Sequence, residues 1–159
     1  MCKLKKSTCK HLATRFGLMQ ATYLNHKLIG LTFIETLEST HLNLDDSPLT
    51  QWLAQYEKNQ PGPYEGTIHL NGTPFQLRVW TALQAIPYGE TRSYTDIALA
   101  IGQPRAVRAV AQACKQNPIA LIVPCHRVIA KDGQLGGYAG RQNHPLKRLL
   151  LQHEQRTPQ

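Results

Sequence analysis

Residues 93–118 carry the clearest structural pattern in the chain and read SYTDIALAIGQPRAVRAVAQACKQNP. The opening Ser-x-x-Asp is a capping pattern, so we predict a helix over residues 94–101. The tight turn Gly102-Gln103-Pro104 comes next, and a second helix is predicted over residues 105–115. Two short helices joined by a turn that contains glycine are typical of a helix-turn-helix.

The second of these helices is rich in small and basic residues. Ala106 and Ala109 allow another surface to approach the helix backbone closely, and Arg105 and Arg108 can contact phosphates or stack on bases. A tightly packed core helix would also favour alanine, so the composition leaves both interpretations open.

The charge of the chain is uneven. Lys plus Arg is 18 and Asp plus Glu is 10, which gives a formal net charge of +8. Most of this excess lies in residues 67–159, where eleven cations face four acids. A polyanion, most simply nucleic acid, is the partner that this balance favours, although general solubility charge is the alternative.

Length and composition set the organisation. The chain has 159 residues, of which 42% are hydrophobic and 18% charged, a globular mixture without an apolar run of membrane-spanning length. We predict an α/β (α+β) fold with a small N-terminal α/β domain over residues 1–66. A mainly helical domain over residues 67–159 would follow, with the helix-turn-helix and a short active-site strand.

Periodicity predicts the remaining elements. In the first domain we expect strands over residues 21–24 and 28–34 joined at Asn25-His26, and a helix over residues 49–56. A short strand is expected at residues 67–70, directly after this domain. In the second domain we expect a helix beginning near Phe75, a buried strand over residues 119–123 and a last helix from Pro145 to about His153.

The segment Pro124-Cys125-His126-Arg127 is the strongest candidate for chemistry. A thiol beside an imidazole and a guanidinium is expected to have a lowered pKa, and its thiolate is a nucleophile. An ordinary buried cysteine at the end of a strand is the alternative.

Two further residues support a reactive cysteine. Glu154 continues the apolar stripe of the last helix near its C-terminus, where the helix dipole disfavours negative charge, so it needs a partner such as His126. A frayed helix end would instead leave Glu154 in water. Asn117 either caps the preceding helix or ties that helix to the cysteine segment.

The cysteine count favours a reducing compartment, hence a cytoplasmic location, or a nuclear one in a eukaryote. Cys2 and Cys9, with His11 and His69, fit no standard zinc spacing, and we expect no metal. Because no dinucleotide or methyl-donor fingerprint is visible, we expect no cofactor.

The octapeptide IVPCHRVI at residues 122–129 resembles the active-site signature of the O6-alkylguanine-DNA alkyltransferases, also called methylated-DNA–protein-cysteine methyltransferases. The resemblance covers about residues 67–159, whereas residues 1–66 match only loosely. The other matching segments, in the order of the family, are Phe75…Val79-Trp80, Pro87-Tyr88-Gly89-Glu90-Thr91, Ser93-Tyr94, residues 105–110, Asn117-Pro118 and Leu149-Leu150…His153-Glu154.

The resemblance implies a catalytic set. Cys125 would accept the alkyl group, His126 would be its base through a bridging water, and Glu154 would orient His126. Asn117 would hold the hinge between the recognition helix and the active-site segment. Tyr94 would donate to the guanine as negative charge develops on the purine.

The resemblance also implies how DNA is held. Arg108 would replace a flipped nucleotide in the base stack, with the alanine-rich helix in the minor groove. Backbone carbonyls of Cys125 and Val128 would read the exocyclic amine of the guanine. The residues assigned to DNA or substrate binding are Arg108, Arg105, Ala106, Ala109, Cys114, Val128, Tyr138 and Ala139.

The implied function is single-turnover DNA repair by a monomer. An alkyl group would pass irreversibly from O6-alkylguanine in double-stranded DNA to Cys125, and the resemblance leaves O4-alkylthymine open as a second substrate. A non-catalytic binder of alkylated DNA and a cysteine hydrolase are the alternatives. The presence of Cys125 argues against the former, and the basic helix is unexplained by the latter.

Overall fold

A computed structural model describes residues 7–37, 42–43, 45–138, 141–142 and 144–155. The chain divides into two compact units, Met1–Leu70 and Asn71–Gln159. Helices and strands occur in both units, which confirms the mixed fold class. The sequence placed a domain boundary slightly earlier, after residue 66, and the separate roles of the two domains stay predictions.

The first unit contains a three-stranded antiparallel sheet in the order β1–β2–β3. These strands span Ser7–Thr14, Gly17–Leu24 and Lys27–Ile34. The predicted turn at Asn25 and His26 is confirmed, because both residues have positive φ (50° and 64°), as in the tight turns that suit a β-hairpin. The sequence missed β1, whose composition is polar and whose buried side chain is Leu12 alone.

Helix α1, Pro48–Glu57, packs on this sheet and confirms the predicted helix. Ser47 caps it by accepting from the N–H of Thr50 at 3.3 Å. The predicted strand over residues 67–70 is wrong. It is reduced to a single bridge between Ile68 and Leu28, because the chain leaves the sheet to begin the next helix.

The second unit is mainly helical. Strands β4 (Arg92–Ser93) and β5 (Val128–Ile129) pair in parallel, and β6 (Gly137–Tyr138) pairs with β7 (Arg141–Gln142) antiparallel. The elements are α2 (Pro74–Gln84), β4 (Arg92–Ser93), α3 (Tyr94–Ala100), α4 (Val107–Lys115), a 3-10 helix (Cys125–Arg127), β5 (Val128–Ile129), β6 (Gly137–Tyr138), β7 (Arg141–Gln142) and α5 (Pro145–Glu154).

Helices α3 and α4 form the predicted helix-turn-helix, and α2 packs against both. Ser93 and Asp96 make the expected capping box, with the Ser93 hydroxyl accepting from the N–H of Asp96 at 3.0 Å. The buried indole N–H of Trp80 donates to the carbonyl of Ala113 at 2.9 Å and so ties α2 to α4. The observed α4 starts at Val107, two residues later than predicted.

The buried strand predicted over residues 119–123 is wrong. Its backbone groups bond within the segment, as when the N–H of Val123 donates to the carbonyl of Ile119 at 3.0 Å. Leu121 has a φ of 68°, which no extended strand adopts. Ile119, Leu121 and Val123 are nevertheless buried alternately, which explains why the sequence resembles a strand.

Candidate active site

Asn117 connects the end of α4 to the candidate nucleophile, Cys125. Its side-chain nitrogen Nδ2 donates to Cys125 Sγ at 3.2 Å and to the carbonyl of Val123 at 2.7 Å. Its Oδ1 accepts from the N–H of Ile119 at 3.0 Å. The side chain thus bonds forward along the chain, at the hinge position that the sequence resemblance implies, and does not cap the helix behind it.

The thiol of Cys125 is partly exposed to solvent but is largely surrounded by protein. Burial raises its pKa above the ordinary value, although the hydrogen bond from Asn117 and the charge of Lys147 oppose this effect. The predicted lowering of the pKa is therefore wrong. The adjacent guanidinium of Arg127 bonds to Glu154, so the thiol needs a base before it can react.

A buried triad stands beside this thiol. His126 has no exposed surface, and its Nε2 lies 2.6 Å from Glu154 Oε1. Arg127 donates from Nε to Glu154 Oε2 at 2.8 Å and from Nη2 to Oε1 at 3.1 Å. The predicted contact between His126 and Glu154 is confirmed, and the alternative of a frayed helix end is wrong, because Glu154 is 4% exposed.

The protonation of the triad follows from its contacts. Burial alone would raise the pKa of Glu154, but its bonds to His126 and Arg127 prevail and hold that pKa at about 2. Burial lowers the pKa of His126 in spite of the nearby carboxylate. At neutral pH the triad is therefore a carboxylate, a guanidinium and an uncharged imidazole.

The second nitrogen of His126 is available for a proton. His126 Nε2 faces the carboxylate, so the uncharged ring carries its hydrogen there and donates it to Glu154. His126 Nδ1 is buried and has no hydrogen-bond partner within the described residues. An unprotonated ring nitrogen in this position is a base.

Lys147, which was not among the residues predicted for the site, is fully buried. Its Nζ donates to the carbonyl of Val128 at 2.5 Å and to that of Gly137 at 3.3 Å, and it lies 5.8 Å from the ring centroid of Tyr94. Burial lowers its pKa to about 8. The signal was its position seven residues before Glu154, which puts both side chains on one helix face.

Two tyrosines lie close to the nucleophile. Burial, together with the neighbouring Cys114 and Cys125, raises the pKa of Tyr94 to about 12, so its hydroxyl remains a donor at neutral pH. A Cβ at Gly136, where φ is 70°, would lie 3.1 Å from Tyr94 Oη, so glycine permits this close approach. Tyr138 is buried, and its hydroxyl has no hydrogen-bond partner in the described part of the chain.

The remaining residues predicted to contact the substrate differ in their burial and in their partners. Val128 is buried, and its backbone carbonyl already accepts from Lys147. Cys114 is 7% exposed, so it lies inside the unit and not on the outer face of α4; burial raises its pKa to about 12. Ala139 lies outside the described residues.

The outer face of the helix-turn-helix carries basic residues and residues with small side chains. Arg105, Arg108 and Ala109 are exposed and Ala106 is half-buried, whereas Val110 faces the interior. Helix α4 therefore packs in the core on one side and presents Arg108 to solvent on the other, and Arg105 is exposed just before the helix begins.

Comparison with known proteins identifies the family. Residues 74–156 match the family model for the DNA-binding domain of 6-O-methylguanine DNA methyltransferase. Over 130 residues the chain is 45% identical to a probable methylated-DNA–protein-cysteine methyltransferase of Acanthamoeba polyphaga mimivirus, covering 80% of this chain and 84% of that protein. The chain belongs to the methylated-DNA–protein-cysteine methyltransferase family. The sequence resemblance is thereby confirmed, and the protein is a DNA-repair methyltransferase.

Solved structures support the same family at the level of the fold. The methyltransferase superimposes on the crystal structure of Mycobacterium tuberculosis O6-methylguanine methyltransferase with a TM-score of 0.81 and 40% identity, over 94% of this chain and 93% of that one. The crystal structure of the Mycobacterium tuberculosis protein in complex with DNA gives a TM-score of 0.80 and 41% identity, over 92% of each chain.

The described residues contain neither a metal-binding cluster nor a membrane-spanning helix. They hold no group of three or more His, Cys, Asp or Glu side chains arranged to bind a metal ion, and Cys2 lies outside them. None of their helices has the length and apolar character needed to cross a membrane.

Proposed function

We propose that this methyltransferase moves an alkyl group from O6 of guanine in double-stranded DNA to Sγ of its own Cys125, once per molecule. One observation carries the proposal: Cys125 is held by Asn117 and is followed in the chain by His126, which is bonded to a buried carboxylate. Because the product is a stable thioether, the protein is consumed by the reaction.

The transfer begins with loss of the thiol proton. His126 Nδ1 accepts it through a bridging water, and the thiolate attacks the alkyl carbon. The bond between Sγ and carbon forms as the bond between carbon and O6 breaks, and the electron pair moves onto the purine. The hydroxyl of Tyr94, which burial keeps protonated, donates a hydrogen bond to the purine as this charge develops.

The guanine is recognised by backbone groups near Cys125. The carbonyl of Cys125 accepts from the N–H of Val128, and the carbonyl of Val128 accepts from Lys147. Each carbonyl oxygen has a second lone pair, with which it can accept from the exocyclic amine of guanine. Tyr138 lines this pocket, and Cys114, which is buried, limits its size; the predicted contact of Ala139 lies outside the described residues.

The DNA is bound by the outer face of α4 and by the two residues before it, Arg105 and Ala106. Arg105 contacts phosphate, Arg108 fills the place of the flipped nucleotide, and Ala106 and Ala109 let the helix approach the minor groove. The proposal is supported by the exposure of both arginines and by the related Mycobacterium tuberculosis protein, which was solved in complex with DNA.

We also propose that the protein acts as a monomer in the cytoplasm, or in the nucleus of a eukaryotic cell. The support for this location is chemical, because reducing surroundings keep a reactive thiol from forming a disulfide. Cys9, Cys114 and Cys125 are all free cysteines.

The test is the mass of the intact protein after mixing with duplex DNA that contains one O6-methylguanine. We expect a gain of one methylene, saturating at one per protein and mapping to Cys125. Cys125→Ala should lose transfer and keep lesion binding, while Cys9→Ala, which removes an exposed cysteine of the first unit, should react fully.

Other outcomes would contradict the proposal. Lesion binding by the wild-type protein without any mass gain would favour a non-catalytic binder of alkylated DNA. Repeated release of a free product with an unchanged protein mass would favour a hydrolase.

A further inference from the structure

The guanidinium of Arg127 is held by several contacts, although the proposed alkyl transfer assigns it no step. Besides its two bonds to the carboxylate of Glu154, its Nη1 donates to the carbonyl of Ile86 at 2.9 Å. It also lies 5.4 Å from the ring centroid of Tyr88, and Arg127 is 8% exposed. The side chain is thus fixed at one place, with its charge against Glu154.

Two side chains, His126 and Arg127, bond to the carboxylate of Glu154 and compete for its charge. The backbone N–H of Gly89 also donates to its Oε2 at 3.4 Å. The carboxylate lies 2.6 Å from His126 Nε2 on one side and is held by Arg127 on the other. A buried carboxylate paired with imidazole alone favours the charged imidazolium, because the opposite charges then compensate each other. An imidazolium has a hydrogen on both nitrogens and cannot accept the proton of a thiol.

We propose that Arg127 is a positioning residue that supplies the counter-charge of Glu154, so that the carboxylate orients His126 without stabilising its protonated, imidazolium form. His126 Nδ1 then stays open toward the thiol of Cys125. The effect of Arg127 on His126 follows from the contacts alone, and its consequence for alkyl transfer rests on the proposed function.

The other groups around His126 do not replace Arg127. Lys147 on α5 is a second cation, but its Nζ bonds to the carbonyls of Val128 and Gly137 and not to Glu154. The neighbouring Cys125, Tyr88 and Tyr138 all have raised pKa values, chiefly through burial, and are uncharged at neutral pH. The titratable side chain of α2, which packs against the 3-10 helix, is Arg78, and it is exposed.

The experiment follows the ring nitrogens of histidine by NMR in protein labelled with 15N-histidine, with the His126 signals assigned by their loss in His126→Gln. In the wild type at pH 7 we expect an uncharged ring with its hydrogen on Nε2. In Arg127→Met we expect the pKa of His126 to rise by about 1 or more, because the positive charge of the guanidinium no longer opposes a second positive charge on the imidazole. The acid limb of the rate of methyl transfer should move to higher pH by the same amount.

Arg92→Met is the matched control, since it removes an arginine paired with a carboxylate, Glu90, at the surface of the same unit. The pKa of His126 should not change in this variant. A folded Arg127→Met protein whose His126 pKa is unchanged or lower overturns the inference. A raised pKa with an unmoved rate profile supports the effect of Arg127 and overturns the assignment of His126 as the base.

Two measurements keep the inference testable if Arg127→Met does not fold. Arg127→Lys retains the charge but loses the two-point contact, and it should raise the pKa of His126 above its wild-type value by less than about 1. The assigned wild-type spectrum is decisive without any change at Arg127, because a charged His126 at pH 7 would overturn the inference.

Discussion

The interiors of the two units differ in kind. The buried side chains of the first unit are apolar or aromatic, such as Leu12, Met19 and Tyr56, and its ion pair between Lys10 and Asp45 is about a third exposed (34% and 31%). The second unit contains every buried polar or charged residue of the described chain: His126, Arg127, Lys147, His153 and Glu154.

This difference separates stability from chemistry. Burial of apolar surface stabilises both units, but a buried charge is costly unless it is paired and hydrogen-bonded. A unit built for stability alone has no need of such groups. Their concentration in the second unit, which contains the proposed acceptor Cys125, indicates that this cost serves the proposed alkyl-transfer site.

The sharpest break of this comparison is the loss of Glu154. Glu154→Gln leaves the guanidinium of Arg127 buried without a counter-charge, which should lower the free energy of unfolding by about 3–5 kcal/mol. Asp45→Asn, the matched change in the first unit, should cost at most about 1 kcal/mol, because its partner Lys10 is partly exposed.

Tryptophan fluorescence can read each unit during urea unfolding. The chain has two tryptophans, Trp52 in the first unit and Trp80 in the second, so Trp52→Phe and Trp80→Phe each leave one reporter. Equal losses in Glu154→Gln and Asp45→Asn would contradict the difference between the two interiors.

Acid should unfold the second unit before the first. Glu154 has a pKa of about 2 against an ordinary 4.5, so its stabilising contribution is present above pH 4.5 and is lost as the pH falls toward 2. His126, whose pKa burial lowers from 6.5, adds a loss below pH 6.5, because the unfolded chain binds that proton more readily. Together they amount to about 3 kcal/mol or more.

The measurement is an acid titration of the two single-tryptophan proteins. Asp45 also has a lowered pKa, chiefly through its bond to Lys10, but that pair lies near the surface and contributes little. Fluorescence of Trp80 should therefore change at a higher pH than that of Trp52. Coincident transitions would show that the buried triad does not set the acid limit.

A smaller effect is expected from Lys147 in base. Burial lowers its pKa from 10.5 to about 8, so between these values the unfolded chain holds a proton that the native lysine has lost. The free energy of unfolding should therefore rise with pH in this window, by about 2 kcal/mol in wild type relative to Lys147→Met. In Lys10→Met the free energy of unfolding should rise with pH as it does in wild type. If it also rises by the same amount in Lys147→Met, the prediction is contradicted.

The smallest effect compares two glycines of the second unit. Gly136 and Gly102 have φ values of 70° and 73°, but a Cβ at Gly102 has no atom within 4 Å whereas one at Gly136 meets Tyr94. Both alanine variants should lose about 1 kcal/mol from the backbone, and Gly136→Ala about 1 kcal/mol more. Urea unfolding followed by the fluorescence of Trp80 measures this difference. Equal free energies of unfolding for the two variants would show that the contact with Tyr94 has no effect on stability.

The helices were predictable because their signals are local. The capping box at Ser93 and Asp96 and the apolar spacing of α1 each lie within one or two helical turns, and both are confirmed. Residues 119–123 were wrongly predicted as a strand because alternate burial occurs both in a strand and in a turn whose backbone bonds within the segment. Strand β1 was missed because an edge strand with one buried side chain has little periodicity.

The sequence was sufficient to identify Cys125, His126 and Glu154 as a candidate set, since adjacent reactive groups and a carboxylate on an apolar stripe are visible in the chain. The three-dimensional structure was needed for the charge of each group. Arg127 turns to Glu154, Lys147 is drawn into the interior, and burial raises the pKa of Cys125 where its neighbours in sequence predicted a lower one. The reason is physical: a pKa depends on burial and on charges within a few ångströms, and these distances join residues far apart in the chain.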